Sequence, residues 1–268
     1  MRPMLNIAVR AARQGGSVLS RAYAEHDKVE VFKKGHDYVT KADLDSEKAI
    51  IASLQKSYPE HGILARESGV INPGHDHQWV IDPLSGTMNF IKGIPHFAVS
   101  IALQVKNKTE LAVVYNPITD ELFTAINGAG AQLNDYRIRV SQQKDLTDAL
   151  IGTGLPHKSR QHTESYMSML QEVFIQASDL RRAGSTALDL AYVAAGRFDG
   201  FFEVSLKPWS LISGALIARE AGAMMTDFVG GHHYFKNGHL VAGTPKITQG
   251  LLRAMRPSLS DALRKSCS

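Results

Sequence analysis

Three carboxylates in this 268-residue chain sit where an acid can do chemistry: Asp82, Asp43 and Glu67. The first closes an apolar run, Trp79-Val80-Ile81-Asp82-Pro83-Leu84-Ser85-Gly86-Thr87-Met88-Asn89-Phe90. A carboxylate at the end of a buried strand, followed by proline, a small hydroxyl, glycine and threonine, projects ligands and backbone N–H groups into a cleft. Read alone, the same residues also make a plain strand-to-turn junction. Asp43 belongs to Asp37-Tyr38-Val39-Thr40-Lys41-Ala42-Asp43-Leu44-Asp45-Ser46-Glu47, where Thr40 reads as the N-cap of a helix that Asp43 helps to open. Glu67-Ser68-Gly69 ends a strand-like run behind Arg66, and two later stretches, Arg182 to Ala187 and Phe201 to Ser210, read as strand-to-helix turns.

Other chemistry-bearing groups are poorer candidates. His75-Asp76-His77 lies in a Gly-Pro-rich loop, and neither it nor His232-His233 has the spacing of a helix-borne zinc pair. Gly128-Ala129-Gly130 lacks the third glycine of a dinucleotide loop and reads as a turn.

The elements that must position these residues follow from periodicity. Leu5, Ala8, Ala12, Leu19 and Ala22 recur at helical steps and predict an amphipathic helix from Met4 to Glu25, weakened by Gly15-Gly16. Ile50, Ile51 and Leu54 predict a second helix from Lys41 to Ser57, stopped by Tyr58-Pro59. Gln78 to Asp82 predicts a short strand ending in Pro83, and His96 to Val105, Glu110 to Tyr115 and Glu121 to Ala125 predict an antiparallel meander. Beyond Asp145 the pattern alternates: helix Glu164–Gln176, strand Leu180–Arg182, helix Thr186–Ala195, strand Gly200–Val204 and helix Ser210–Ala221. Strands Met224–Phe228 and His239–Gly243 and a last helix from Pro245 to Lys265 complete it. Alternation of this kind predicts a layered α/β half, residues 151–268, behind an α+β half, residues 1–150, with the site between them.

Composition bounds the function. Apolar residues make up 44% and charged residues 21%, the balance of a globular chain and not of a disordered tail. No apolar run reaches the roughly 18 residues of a bilayer span, and Arg2, Arg10 and Arg13 interrupt the first twenty positions. A cytoplasmic protein without membrane attachment is expected, and the lone Cys267 excludes an intrachain disulfide. A net charge of +4 is mild, and the doublets Lys33-Lys34, Arg181-Arg182 and Arg264-Lys265 read as solvated faces, so no basic arm announces nucleic-acid binding.

Taken in order, the blocks Val39-Thr40 with Asp43 and Glu47, Glu67-Ser68-Gly69, Asp82-Pro83-Leu84 with Gly86-Thr87 and Asn89-Phe90, Gly184 to Ala187, and Pro208-Trp209 resemble the inositol monophosphatase family. The resemblance runs from residue 4 to 265 and is closest to the bacterial SuhB branch. It implies an αβαβα layered phosphatase fold of the α/β class, a homodimer, and Mg²⁺-dependent hydrolysis of an inositol or sugar monophosphate. For that branch it also implies transcription antitermination on ribosomal RNA operons, with a Nus-type factor or RNA polymerase as partner. Carried onto matching positions, Glu67, Asp82 and the Leu84 carbonyl would be metal ligands, and Asp43 and Thr87 catalytic, with Thr87 orienting the attacking water. Ser85, Gly86, Thr87, Gly184, Ser185 and Glu203 would contact substrate.

The chain departs from that pattern at three acidic positions. Arg66 stands where the family has the first glutamate of a pair, Ser85 replaces the second aspartate of the Asp-Pro block, and Ser210 replaces the aspartate after Trp209. Mg²⁺ requires hard oxygen ligands in octahedral geometry, and a two-metal clamp requires bridging carboxylates. A guanidinium about 4 Å from Mg²⁺ costs about 8 kcal/mol at an effective dielectric near 20. Weak or absent Mg²⁺ binding and impaired catalysis are therefore expected, with Arg66 pairing Asp82 or Glu67 in the ion's place. Three alternatives stay open: Arg66 facing solvent with Ser85 and Ser210 as caps, a working phosphatase in which waters complete the Mg²⁺ shell, and a phosphorylated-ligand sensor in which Arg66 meets the phosphate and Glu203 the hydroxyls.

Overall fold

The computed structural model describes residues 1–35, 37–157 and 159–267. The chain opens with α1 (Arg2–Tyr23), a hairpin of β1 (Val31–Lys34) and β2 (Asp37–Thr40), and α2 (Lys41–Ser57). Next come β3 (Gly62–Ala65), β4 (Gly69–Ile71), β5 (His77–Ser85) and the short α3 (Thr87–Ile91). The meander is β6 (Ala98–Val105), β7 (Lys108–Asn116), β8 (Glu121–Ile126), β9 (Gly130–Leu133) and β10 (Tyr136–Arg137). The rest alternates through β11 (Leu150–Thr153), α4 (Thr163–Gln176), β12 (Asp179–Arg181), α5 (Thr186–Ala194), β13 (Gly200–Glu203) and α6 (Pro208–Glu220). It ends with β14 (Met224–Thr226), α7 (Tyr234–Asn237), β15 (Leu240–Gly243), α8 (Pro245–Met255) and α9 (Asp261–Ser266).

Among the described residues the large sheet has the order β10-β9-β8-β7-β6-β5-β3-β4 and the smaller one β12-β11-β13-β15-β14. Helices α1 and α2 pack on one face of the large sheet; α5 and α6 fill the space between the two sheets; α4 and α8 lie together, with α8 against β14 and β15 of the smaller sheet. This is the αβαβα layering, and it explains why α5 is apolar on nearly every side: both of its faces meet a sheet. One continuous core joins Ala112, Val114 and Phe123 of the meander to Leu188, Leu211, Leu216 and Phe201.

Several elements differ from the sequence expectation for identifiable reasons. Gly15-Gly16 does not break α1, because both glycines lie in tight packing: a Cβ at Gly15 would come within 2.7 Å of the Ile50 side chain, and one at Gly16 within 2.7 Å of the Tyr115 ring. The final helix is two. α8 gives way to a short 3₁₀ turn at Arg256–Ser258, where Pro257 removes an N–H, and α9 restarts with the Ser260 hydroxyl accepting from the Leu263 N–H. The strand ending at Pro83 continues instead to Ser85 through an irregularity in the ladder.

Candidate functional site

Strands β3 and β5 run parallel and adjacent, with Leu64 opposite Val80 and Ala65 opposite Ile81. Their carboxyl ends emerge side by side, the usual place for a ligand site in α/β sheets. Arg66 leaves β3 at that edge and Asp82 stands near the end of β5. The pairing of β5 with β6 passes from Asp82 opposite Ser100 directly to Ser85 opposite Ala98, so Pro83 and Leu84 fall out of register.

Arg66 fills the space this creates. Its Nη1 donates to Asp82 Oδ1 at 3.1 Å and to the Leu84 carbonyl at 2.9 Å, and its Nε stands 3.3 Å from Glu67 Oε1. The side chains of Arg66, Asp82 and Glu67 are 16%, 1% and 6% exposed, so the guanidinium faces the protein and not solvent. Burial alone would lower the Arg66 pKa, but the charges of Asp82, Asp43 and Glu67 reverse this and hold it above its ordinary value. The turn that carries Arg66 and Glu67 is fixed by Glu47 on α2, whose carboxylate accepts from the N–H groups of Glu67 and Ser68 at 2.9 and 2.8 Å.

Asp43 is held by a capping box at the start of α2: the Thr40 N–H and hydroxyl donate to its Oδ2, while its own N–H donates to the Thr40 hydroxyl. Burial raises its carboxyl to about 6, against the opposing pull of the Thr40 hydrogen bonds and Arg66. The Thr87 hydroxyl stands 3.3 Å from both Asp43 Oδ1 and the Leu84 carbonyl. Asp43, Thr87, Leu84, Arg66, Asp82 and Glu67 therefore form one connected polar cluster.

Ser85 and Ser210 do not act as caps. The buried Ser85 hydroxyl accepts from Ser185 Oγ at 3.0 Å, and Gly86 occupies the N-cap of α3. Ser210 lies inside the first turn of α6, which Lys207 begins. Arg66, Asp82, Ser85, Gly86, Thr87, Gly184, Ser185, Glu203 and Ser210 line one cleft of ≈ 330 Å³, with Asp43, Glu67 and Leu84 in the layer behind. On the far wall Thr186 Oγ1 donates to Glu203 Oε2 at 2.8 Å, and a Cβ at Gly154 would fall 2.0 Å from Glu203 Oε1, so only glycine leaves that carboxylate its place. Of the Arg66 guanidinium, Nη1 and Nε are engaged by the protein, so in the reading in which Arg66 meets a phosphate the contact would fall to Nη2.

Sequence reasoning assigned no role to three residues that line this cleft, Arg182, His157 and Asp189, nor to His96 beside Asp189. Arg182 Nη2 lies 3.1 Å from His157 Nε2, and His96 Nε2 lies 2.8 Å from Asp189 Oδ1. Asp189 did leave a signal: it is the only acid in the apolar run Thr186–Ala194. His157 left none, since the turn that delivers it has no periodic pattern.

The site is built from a parallel strand pair with an acid, an out-of-register carbonyl and a threonine at its carboxyl edge, set in αβαβα layers, and the chain belongs to the inositol monophosphatase family, whose sequence profile matches residues 1–260. It is 52% identical over 267 residues to the Nus factor SuhB of Escherichia coli K12, covering 99% of this chain and 100% of that one. The crystal structure of the extragenic suppressor protein SuhB from Bartonella henselae superimposes with a TM-score of 0.91 at 44% identity, covering 95% of this chain and 98% of that one. The inositol monophosphatase of Anabaena (Nostoc) sp. PCC 7120 gives 0.86 at 33% identity, covering 96% of each.

The Mg²⁺ of that family does not suit the residues present. Asp82, Glu67 and the Leu84 carbonyl are all engaged by a guanidinium. A cation cannot join Arg66 at these oxygens without the repulsion estimated above.

Proposed function

We propose that this protein is a SuhB-like member of the inositol monophosphatase family with an impaired phosphatase site, acting mainly through contacts with other macromolecules. The observation that carries the impairment is the Arg66 guanidinium bonded to Asp82, Leu84 and Glu67. Phosphate monoesters hydrolyse extremely slowly without catalysis, so an enzyme that acts on them must lower a very large barrier. Here the oxygens that would seat the ion are occupied, and Ser85 and Ser210 supply hydroxyls where bridging carboxylates are needed.

The macromolecular role is read from the relatives named Nus factor SuhB. It consists of antitermination on ribosomal RNA operons in the cytoplasm, by a homodimer that meets a Nus-type factor or RNA polymerase. No helix among the described residues is long and apolar enough to cross a membrane.

Phosphate release from inositol 1-phosphate with Mg²⁺ tests the impairment. Wild type is expected to show none above background, and the triple variant Arg66→Glu, Ser85→Asp, Ser210→Asp to recover it. Turnover by wild type equal to the triple variant restores the working-phosphatase alternative. Affinity capture from the native host tests the partner: recovery of Nus factors or RNA polymerase supports the role, and their absence removes it.

A further inference from the structure

We propose that the groove between α1 and α2, on the outer layer of the molecule, docks an acidic helix of another protein. This rests on the reading that the protein acts through contacts with other macromolecules, and it adds a surface and the chemistry that fits it. It does not depend on whether the phosphatase site works.

Charge is the first observation. α1 carries Arg2, Arg10, Arg13 and Arg21 and no Asp or Glu. Its formal charge of +4 equals that of the whole chain, so the rest of the chain balances its own charges. Arg13 is taken up by the protein: its Nη1 meets Asp120 Oδ1 at 3.2 Å, and its guanidinium lies over the Tyr115 ring. Arg10, Arg21 and the α2 residue Lys56 make no ion pair among the described residues. All three are exposed and line one groove of ≈ 520 Å³, to which no acidic side chain among the described residues contributes.

Shape is the second. Arg10, Gln14, Ser17 and Arg21 follow one another at steps of four, three and four, so they share a face of α1, and the two arginines stand about 16 Å apart along it. Lys56 borders the same groove from α2. Between the cations the lining is short: Ser17 on α1, and Ala49, Ala52 and Ser53 on α2. The helices themselves are drawn together by Gly15, where a Cβ would come within 2.7 Å of Ile50. Their own side chains therefore leave the space above the seam open. A channel between two packed helices, floored by small residues, seats a third helix, with axes about 8–10 Å apart. Carboxylates about three turns apart on that helix reach Arg10 and Arg21 together. A single strand of nucleic acid fits less well, because no aromatic ring lines the groove among the described residues and its bases have nothing to stack on.

The probe is a fluorescein-labelled helical peptide of about 20 residues built from Ala, Gln and Glu, with Glu confined to one face, followed by fluorescence anisotropy at low salt. Wild type is expected to bind it, and the triple variant Arg10→Gln, Arg21→Gln, Lys56→Gln to bind it roughly tenfold or more weakly. Ala52→Trp fills the floor and leaves every cation in place; it is expected to weaken binding comparably. Lys144→Gln, Lys236→Gln, Lys246→Gln removes the same charge from exposed positions elsewhere and is expected to leave binding unchanged. Circular-dichroism melts check that each variant is folded. No binding by wild type, or binding by the triple groove variant or by Ala52→Trp equal to wild type, overturns the proposal. An equal loss in the lysine control, or tighter binding of a uridine oligonucleotide than of the peptide, overturns it as well. Failure here is distinct from failure of the wider reading: a triple groove variant that still captures Nus factors or RNA polymerase from the host removes the groove and keeps the macromolecular role.

Discussion

Arg66→Met tests what the buried cation does for folding, because it keeps most of the stem and removes the charge. Asp82 and Glu67 would then stand buried without their counter-ion, a loss of about 3–5 kcal/mol in urea-denaturation stability. Arg66→Lys should recover only part of this, since an ammonium is a point charge and cannot reach carboxylate, carbonyl and second carboxylate in one plane. At this scale the sequence was informative where one short segment holds both partners. Thr40 and Asp43 lie three residues apart and read directly as a helix start, whereas the pairing of Arg66 with Asp82 or Glu67 was expected only from the acids lost at positions matched to the family. It was silent where partners are far apart: Ser85 and Ser185 meet across one hundred residues, and nothing local in either block says so.

Among the elements, α9 and the turn after β13 are joined by one side chain, His239. The Ser205 N–H donates to its Nδ1 at 3.2 Å, leaving the proton on Nε2, which faces Ser266 Oγ at 2.8 Å, while Phe228 stacks on the ring. Burial, with His162 nearby, lowers its pKa to about 4, against the raising effect of Asp227. The unfolded chain takes up this proton near pH 6.5 and the folded chain only near pH 4, so stability is lost as pH falls through that window. The margin of wild type over His239→Gln should shrink by roughly 3 kcal/mol between pH 7 and pH 4, as read by urea titrations at each pH. An unchanged margin would count against a neutral, buried ring. The cap of α2 has its own test: Thr40→Val keeps the shape and deletes the hydroxyl, and should cost about 1–2 kcal/mol while loosening Asp43. Long periodic elements such as α2 were legible, but the break at Pro257 was hidden inside a stretch whose apolar spacing continues past it.

For the whole molecule, β3 to β10 build the large sheet and β11 to β15 the smaller one, and the two share one core. Ala112, Val114 and Phe123 from the first half pack with Leu188, Leu211 and Leu216 from the second. Residues 1–150 expressed alone should therefore expose the sheet face that α5 and α6 cover, bind a hydrophobic dye, and lack a cooperative melt. A fragment that melts sharply would establish a self-sufficient first domain. The alternation of helices and strands after Asp145 made a layered α/β second half legible, while the αβαβα order came from the family resemblance; the hairpin β1–β2, the strand β11 and the edge strands β4 and β10 are too short to carry a period and were not legible.

The missed rung between Asp82 and Ser85 has a genetic consequence. The Leu84 oxygen belongs to the polypeptide itself, so no codon change at that position can abolish it. Only a change of the backbone itself, such as a deletion of the extra residue that restores regular pairing with β6, would silence it. Point mutation could install an arginine in this pocket and could remove it again, while one wall stayed beyond its reach.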